Sequence, residues 1–304
     1  MAQEAASARS LASLSTELAE LVERAAPFVV RVDDGSRLTA TGILWSREGI
    51  VVTTSHGVER DEDITVEQAD GSSLAATLVG RDGDSDLAVL KVDATDLPAA
   101  PLGSGEAPRV GNLVLALGRP GQSGLRATFG IVSALRETQS QGKSEYILET
   151  DADLYPGFSG GPLVGMDGSV VGVLNLMFGR RRGIALGVPI VTNVVNALLE
   201  HGQVRRGYLG VRMQQVGLPE SLRLSLGIGQ EQAVLLIQVE AGSPAEKAGL
   251  MLGDILLGIG GQPVEDVDDL RQHLRSAGAG GALSFDILRG GARTNASVTL
   301  GVEP

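Results

Sequence analysis

The sequence predicts a mainly β protein, in which a larger β-barrel or β-sandwich domain precedes a smaller α+β domain and a helix precedes both. Its length of 304 residues is long for one domain and suits two. Its 42 glycines are about twice the usual share of roughly 7%, which indicates many turns and close backbone approaches. An apolar content of 43% supplies a sizeable core and excludes wholesale disorder.

The first predicted element is a helix over residues 9–26, because apolar residues recur there at spacings of three and four and form one stripe. The stripe consists of Leu11, Leu14, Leu18, Leu21 and Ala25. Pro27 ends the pattern. The stripe fits a helix packed on its own domain and equally a helix that contacts another subunit. Residues 1–27 are therefore assigned to an N-terminal helical segment.

Residues 28–201 are assigned to the larger domain, because short β-branched runs alternate there with glycine and aspartate. Asp-Gly turn signals at 70–71 and 167–168 each lie between two such runs and indicate hairpins. Many short strands at regular spacing are typical of an all-β barrel or sandwich. A helical pattern over 190–200 closes the domain, and residues 202–207 form a linker.

Residues 208–304 are assigned to a second domain, because their pattern of predicted strands and helices differs from that of the first. Its strand-like runs are interrupted by one helical pattern near 267–276, for which Asp266 is a suitable N-cap. This mixture predicts a small α+β fold.

Charge and composition exclude several classes of function. The formal net charge is −12, whereas a nucleic-acid-binding protein is expected to show a basic stripe. No run approaches the roughly 18 consecutive apolar residues of a membrane span. Because cysteine is absent, disulfides, cysteine nucleophiles and thiolate metal sites are excluded. The histidines are too few for a metal cluster and no phosphate-cradling loop stands out, so we expect neither a metal ion nor a cofactor. The N-terminus has no basic start and no apolar run, so we expect a cytoplasmic protein, or an extracytoplasmic one if the N-terminus was trimmed.

The most informative segment is G-F-S-G-G at residues 157–161. A serine hydroxyl becomes a nucleophile when a base takes its proton and N–H donors hold the resulting oxyanion, and flanking glycines let the backbone present such donors. In a chain so rich in glycine, the segment also fits an ordinary turn. It does not fit the nucleophile elbow of an α/β-hydrolase, because that motif needs a helix directly after the serine and Pro162 begins another strand-like run.

The order histidine, acid, serine of chymotrypsin-like enzymes fits the chain instead. His56 follows the apolar run G-I-V-V-T-T-S and so ends a strand. Asp86 heads the apolar run L-A-V-L-K-V, where a buried carboxylate needs a donor such as an imidazole N–H. The other two histidines, His201 and His273, lie in helical or linker segments. His56, Asp86 and Ser159 therefore stand in the required order.

The strings around these three residues resemble the catalytic blocks of the HtrA/Deg family of serine proteases. They are T-T-S-H-G-V, D-S-D-L-A-V-L-K-V and T-D-A-D-L-Y-P-G-F-S-G-G-P-L-V, and the match extends over residues 28–304. In the smaller domain, G-S-P-A-E-K-A-G-L-M-L-G-D-I-L-L-G-I resembles a PDZ domain of that family. The resemblance implies a two-lobed chymotrypsin-like β-barrel protease domain followed by a PDZ domain, assembled as a trimer or a multiple of trimers.

The resemblance also implies roles for individual residues of the protease domain. Ser159 corresponds to the nucleophile, His56 to the general base and then general acid, and Asp86 to the group that orients the histidine. The backbone N–H groups of Gly157 and Ser159 correspond to the oxyanion hole. The implied activity is that of a serine endopeptidase that cleaves unfolded or damaged proteins in quality control.

For the PDZ domain, the resemblance implies a peptide-binding role. Tyr208, Leu209, Gly210 and Val211 correspond to the loop that binds the C-terminal carboxylate of a peptide, which adds as a strand beside them. The expected partners are unfolded or C-terminally exposed polypeptides.

Three residues depart from the family pattern. Phe158 stands where the family typically has asparagine, and a bulky apolar side chain there could alter the oxyanion loop. Gly57 replaces a larger apolar residue after the histidine and could loosen the base. Asp153 lies near the specificity pocket, where it could favour basic substrates or simply be solvated. Phe158 supports one alternative function, a catalytically silent or weakly active peptide-binding, chaperone-like scaffold on the same fold.

Overall fold

A computed structural model describes residues 2–36, 39–121, 124–140, 143–178 and 183–302. The chain forms two compact units, whose main parts are residues 1–138 with 144–204, and residues 205–304. The predicted fold class is confirmed: an N-terminal helix, a two-lobed β-barrel unit and a small α+β unit follow one another. Of the helices in the described ranges, none has both the length and the hydropathy that crossing a bilayer requires.

The N-terminal helix α1 spans Ala2–Ala25 and continues into a 3-10 turn over Ala26–Phe28. Leu21 is buried in the core of the first unit, so the last turns of the helix pack on their own unit. Leu11 is 66% exposed and Leu14 is 38% exposed. The predicted apolar stripe is therefore divided between a packed part and a part on the surface.

Six antiparallel strands close the first barrel. They are β1 Val29–Asp33, β2 Ala40–Leu44, β3 Ile50–Thr54, β4 Ile64–Glu67, β5 Ser73–Asp82 and β6 Leu87–Val92. Their order is β1-β2-β3-β6-β5-β4, and closure leaves no free strand edge. Every residue of β2 and β3 is buried, which explains why these strands carry no charged residue and show no alternation of apolar and polar residues.

A second closed barrel follows in the same unit. Its strands are β7 Leu113–Gly118, β8 Arg126–Ser140, β9 Lys143–Thr150, β10 Pro162–Gly165, β11 Val170–Asn175 and β12 Gly183–Gly187. Read from β7, their order is β7-β8-β9-β12-β11-β10. This order repeats that of the first barrel, so the two barrels share one topology.

Helix α2, Val188–His201, follows the second barrel and confirms the helix predicted there. Val191, Val195 and Leu198 form its buried face. The helix contacts β5 and β6 of the first barrel as well as β11 and β12 of the second, so it packs across both. Gly202 follows as its C-cap, with a φ of 71° in the left-handed conformation that commonly terminates a helix.

The second unit is a small sheet with three helices in its described part. Its elements are β13 Gly207–Tyr208, β14 Val211–Gly217, α3 Glu220–Leu226, β15 Gln232–Val239, α4 Pro244–Lys247, β16 Ile255–Ile259, β17 Gln262–Pro263, α5 Val267–Ala277, β18 Ala282–Arg289, β19 Ala292–Thr299 and β20 Gly301–Val302. The main sheet has the order β14-β15-β16-β18-β19. As predicted, Asp266 caps α5, because its carboxylate accepts the N–H of Asp269 at 2.8 Å.

An ion pair joins a buried carboxylate to a partly exposed guanidinium in the second unit. Asp254 is 1% exposed, and its carboxylate accepts two hydrogen bonds of 2.7 Å from the guanidinium of Arg289. The N–H of Met251 donates to the same carboxylate at 2.8 Å. Burial opposes ionisation of Asp254, but these donors and the positive charge of Arg289 hold its pKa below the ordinary value.

Replacing Arg289 by methionine should destabilise the second unit by about 2–3 kcal/mol near neutral pH, because the buried carboxylate loses its counter-ion. The lowered pKa means that the wild-type pair stabilises the fold above the ordinary carboxyl pKa and loses this effect as the pH falls through the lowered value. The difference between Arg289→Met and wild type should therefore shrink on acidification. Calorimetry of the full chain measures the free energy of unfolding of each protein. Fluorescence of Trp45, the one tryptophan, reports the unfolding of the first unit separately.

The matched control is Arg271→Met. Arg271 pairs with Asp268 at 3.4 Å on the surface of α5, where an ion pair contributes less than about 0.5 kcal/mol. Equal effects of the two substitutions, or a difference that does not depend on pH, would contradict the assigned role of the Asp254–Arg289 pair.

Candidate active site

Strand register brings His56 and Asp86 together. In the pairing of β3 with β6, Thr54 lies opposite Leu87, so the end of one strand meets the start of the other. The chain continues from Thr54 into the 3-10 turn Ser55–Gly57, which carries His56, and Asp86 directly precedes Leu87. Neighbouring ends of two paired strands thus place both side chains at one rim of the first barrel.

Both carboxylate oxygens of Asp86 bind His56. The imidazole Nδ1 lies 2.5 Å from Oδ2, and the backbone N–H of His56 donates to Oδ1 at 2.9 Å. Asn175, at the end of β11 in the second barrel, donates its side-chain amide to Oδ2 at 2.9 Å. Asp86 is buried, and burial opposes its ionisation, but these hydrogen bonds and the charge of His56 outweigh burial and lower its pKa.

The backbone of Asp86 is in a conformation that few residues adopt. Its φ is 53°, in the left-handed region that aspartate and asparagine tolerate better than most non-glycine residues. Its carbonyl accepts the N–H of Ser55 at 2.8 Å, so the turn around Asp86 is held to the turn around His56. Such a conformation persists where surrounding contacts over-determine it, as they do here.

Ser159 is connected to the same cluster through the second barrel. Its Oγ accepts the backbone N–H of Leu176 at 3.3 Å, and Leu176 directly follows Asn175. Two consecutive residues at the end of β11 therefore bind Asp86 and Ser159 respectively. The end of β11 thus links Ser159 to the hydrogen-bonded pair of His56 and Asp86, through the backbone between Asn175 and Leu176.

The segment 157–161, called here the oxyanion loop, leaves two N–H groups without a protein acceptor among the described residues: those of Gly157 and Ser159. The other three N–H groups of the loop, those of Phe158, Gly160 and Gly161, donate to carbonyl oxygens at 2.8–3.0 Å. Gly157 has a φ of 90°, which favours glycine. Two free donors that flank one residue match what an oxyanion hole requires.

Phe158 points into the second barrel and not into the cleft. Its side chain is fully buried among core residues of that barrel and packs edge-to-face on Tyr155, with ring centroids 5.8 Å apart. Gly118 makes room for the ring, because a Cβ at that position would lie 2.6 Å from it. The departure from the family pattern therefore anchors the oxyanion loop to the core.

The other two departures also have a structural account. A Cβ at Gly57 would lie 2.5 Å from the Cβ of Ala40, so glycine lets the turn that carries the histidine pack tightly on β2. This close packing contradicts the interpretation that Gly57 loosens the base. Asp153 is exposed, in agreement with a solvated carboxylate.

Sequence reasoning missed three polar residues of this cluster: Thr41, Arg119 and Asn175. Asn175 carried a signal, since it ends the otherwise apolar run V-V-G-V-L-N, and a polar residue that closes a buried strand needs a partner. Thr41 carried a weaker one, as a hydroxyl within the apolar run of β2. Arg119 follows β7 and had no signal of this kind.

In the second unit, the segment Tyr208–Val211 forms a tight loop. Leu209 is buried, and its carbonyl accepts the N–H of Ala245 at 3.0 Å. Gly210 has a φ of 78°, and a Cβ there would lie 2.3 Å from the Cβ of Ser243. Glycine is therefore required at this point by both conformation and space.

The loop leads into a strand edge. Tyr208 pairs with Gly301, and its hydroxyl donates to a carboxylate oxygen of Glu240. Val211 begins β14, which lies at the edge of the main sheet and, within the described residues, pairs only with β15. A free edge beside a glycine-containing loop can accept an added strand.

Comparisons with known proteins agree with this architecture. The description of a trypsin-like peptidase domain matches residues 40–173, and that of a PDZ domain matches residues 207–300. A probable periplasmic serine endoprotease, DegP-like, from Pseudomonas putida (strain W619) is 37% identical over 295 residues, which are 94% of this chain and 61% of that protein. This chain therefore spans less than two thirds of that relative's length.

Solved structures are similar over nearly the whole chain. The HtrA-type protease AlgW with a decapeptide has a TM-score of 0.78 and 31% identity, covering 94% of this chain and 98% of that one. The serine endoprotease from Yersinia pestis has a TM-score of 0.76 and 31% identity, covering 93% and 97%.

One expectation from the sequence is wrong. A cytoplasmic location was expected because the N-terminus shows no export signal, but curated relatives from Pseudomonas and Halomonas are named periplasmic. The absence of a signal in the printed sequence carries no information about the compartment, whereas the relatives point to an extracytoplasmic one.

Replacing Asn175 by aspartate should impair the cluster. A second carboxylate next to Asp86 removes a donor and adds a like charge, which raises the pKa of Asp86 from its lowered value. We expect a fluorophosphonate probe to label Ser159 about 10- to 100-fold more slowly, because the histidine is held less well. The acidic limb of the labelling profile should also move to higher pH.

The matched control is Asn193→Asp, in α2. Asn193 donates to Glu145 at 2.7 Å, so the same like-charge change is made away from the cluster. If the two variants labelled Ser159 at the same rate, Asn175 would have no special role.

Proposed function

Because the chain belongs to the HtrA/Deg family of serine proteases, we propose that it is a serine endopeptidase that cleaves unfolded or damaged proteins in extracytoplasmic quality control. The observation that carries the proposal is that two consecutive residues at the end of β11 bind the two parts of the site: Asn175 binds Asp86 of the His56–Asp86 pair, and Leu176 binds Ser159. A buried carboxylate that holds an imidazole, close to a serine with two free N–H donors in its loop, is arranged for acyl transfer.

In the proposed mechanism, the contact of Asp86 with Nδ1 determines which nitrogen of His56 acts. The carboxylate accepts the Nδ1 proton, so the opposite nitrogen, Nε2, is the one with a free lone pair. Nε2 takes the proton of Ser159 as Oγ attacks the scissile carbonyl, and then delivers it to the leaving amine. Asp86 stabilises the imidazolium between these steps, which is favoured by its lowered pKa.

The oxyanion formed in this attack would be held by the N–H groups of Gly157 and Ser159. One such donor commonly contributes about 3 kcal/mol to transition-state stabilisation. Phe158, between the two donors, is anchored in the barrel core. The feature that suggested a silent scaffold therefore supports a rigid loop.

For the second unit we propose binding of polypeptide C-termini. The carboxylate would be bound at Tyr208–Val211, and the preceding residues would add as a strand to the free edge of β14. A tail held there would recruit C-terminally exposed or unfolded substrates. The limits proposed for the two domains are residues 28–201 and 208–304, separated by a linker at 202–207.

We further propose assembly as a homotrimer or a multiple of trimers. The exposed apolar side chains Leu11 and Leu14 on α1 support a contact with another subunit, since a solvated helix gains nothing from them. No metal ion or cofactor enters the proposed chemistry.

Two substitutions test the protease proposal. Ser159→Ala should lower the hydrolysis of disordered casein by about 10⁴-fold or more, because no nucleophile remains. Asp86→Asn should lower it by about 10⁴-fold while preserving the fold, because asparagine tolerates the left-handed backbone of this position but leaves the histidine in the wrong tautomer. Initial rates of fluorescent peptide release measure both.

The control is Ser104→Ala, an exposed serine outside the cluster, which should hydrolyse casein at the wild-type rate. Hydrolysis by Ser159→Ala at the wild-type rate, or no hydrolysis and no fluorophosphonate labelling by the wild type, would refute the proposal. Labelling without hydrolysis would indicate a competent site with another substrate class.

A separate experiment tests the peptide loop. A fluorescein-labelled decapeptide with a free C-terminal carboxylate should bind the full Ser159→Ala protein, and its C-terminal amide should bind at least about 10-fold more weakly, since the loop would recognise the charge. Gly210→Ala should weaken binding similarly, because its Cβ collides with Ser243. Fluorescence anisotropy measures each dissociation constant.

The matched control for backbone strain is Gly280→Ala. Gly280 has a φ of 80° and nothing within 4 Å of an added Cβ, so it carries the same strain without the collision. If Gly280→Ala weakens binding as much as Gly210→Ala, or if amide and carboxylate bind equally, the assignment of the loop is wrong.

A further inference from the structure

One residue of the first barrel binds the oxyanion loop at two points. Thr41 lies in β2 and is fully buried. Its hydroxyl donates to the carbonyl of Gly157 at 2.5 Å, and its backbone N–H donates to the carbonyl of Ser159 at 3.1 Å. These carbonyls belong to the same two residues whose N–H groups remain free. Thr41 therefore restrains both residues through their carbonyls and leaves their N–H groups unused.

The position of Thr41 is itself restrained. Its carbonyl accepts the hydroxyl of Thr53 in β3 at 2.7 Å. A Cβ at Gly160 would lie 2.1 Å from that same carbonyl, so the loop and β2 touch backbone to backbone. Thr41 has little freedom to follow a movement of the loop, and instead acts as a fixed point for it.

The hydroxyl of Thr41 also connects a third segment to the loop. It accepts the backbone N–H of Arg119 at 2.8 Å while donating to Gly157, which uses the hydroxyl as donor and acceptor at once. Pro120, the next residue, packs on Gly157: a Cβ added to Gly157 would lie 2.7 Å from the Cβ of Pro120. The segment after β7 thus borders the oxyanion loop and shares its threonine anchor.

The side chain of Arg119 extends in the opposite direction, to the chain that follows α1. Its Nε donates to the carbonyl of Val29 at 2.5 Å, and its Nη2 donates to the carbonyl of Ala26 at 3.2 Å. Burial lowers the pKa of this guanidinium, and Glu67 opposes that effect. Burying a cation against neutral carbonyls costs free energy, which suggests that this arginine has a role beyond stabilising the fold.

We propose that Thr41 and Arg119 are positioning residues. They hold the oxyanion loop in the form in which the N–H groups of Gly157 and Ser159 are free, and they couple it to the segment Ala26–Val29 behind the N-terminal helix. The hydrogen bonds run from the carbonyls of that segment through Arg119 and Thr41 to Gly157. A displacement of α1 would then reach Gly157 without altering His56 or Asp86. This inference rests on the proposed protease function and deepens it.

The test uses three variants of the full chain. Thr41→Val removes the hydroxyl at nearly unchanged shape, Thr41→Ser keeps it, and Arg119→Met removes the guanidinium but keeps an unbranched side chain. With labelled casein, Thr41→Val and Arg119→Met should each lower kcat by about 10- to 100-fold with KM within about threefold, because the oxyanion donors are misplaced while substrate binding remains. Thr41→Ser should restore kcat to within about threefold of the wild type.

Two readouts separate positioning from a merely structural role. The acidic limb of the pH–rate profile should stay where it is in the wild type, because the general base is untouched. The double variant should be no more than about threefold slower than the slower single variant, since both residues act through one chain of bonds. Thr77→Val, an exposed threonine in β5 with a backbone contact, is the control and should match the wild type.

The outcomes are distinct. A shifted acidic limb, multiplicative effects in the double variant, or wild-type kcat in Arg119→Met would overturn the inference while leaving the protease function intact. A wild type without hydrolysis or labelling would overturn both. If Thr41→Val does not fold, Arg119→Met decides alone. This variant should fold, because the two carbonyls that lose the guanidinium lie at the edge of the first barrel, where water can bind them.

Discussion

The Asp86 carboxylate places a severe constraint on this molecule, because it is a negative charge enclosed between two barrels. Removing such a charge from water costs several kcal/mol unless donors replace the lost hydration. His56 supplies two donors from the first barrel and Asn175 supplies one from the second. The charge is therefore fully satisfied only when both barrels are folded and apposed. The cluster of His56, Asp86 and Asn175 therefore forms only as the two barrels pack together.

Glycine makes this apposition possible. A Cβ at Gly160 would fall 2.1 Å from the carbonyl of Thr41 in the first barrel, and one at Gly161 would fall 3.1 Å from the side chain of the same threonine. A side chain at Gly160 above all would hold the barrels apart and separate Ser159 from the carboxylate cluster. Part of the glycine excess thus reflects close contact between backbones and not only turns. The remaining positive-φ glycines, such as Gly202 after α2, serve the more usual role of ending an element.

The sequence was informative wherever a functional residue sits at the end of a patterned strand. His56 and Asp86 could be predicted because apolar runs ended beside them, and the strand register then brought those ends together. Thr41, Arg119 and Asn175 could not, because their partners lie 116, 90 and 89 residues away and no local pattern encodes such pairings. The sequence also did not indicate that the side chain of Phe158 points into the barrel core. Its family position suggested a disturbance of the loop, whereas the space left by Gly118 turns it into an anchor.

The polar contacts of the site form two sets that meet at Ser159. One set contains Asp86, His56 and Asn175, and it determines the ionisation and orientation of the base. The other contains Thr41 and Arg119, and it determines the path of the oxyanion loop. The first reaches the serine through the N–H of Leu176, and the second through its carbonyl. Because the sets share no other hydrogen bond in the described residues, the donors for the oxyanion can be misplaced while the base remains competent. In the proposed coupling, a change at the N-terminal segment would lower the activity through the oxyanion loop while His56 and Asp86 keep their contacts.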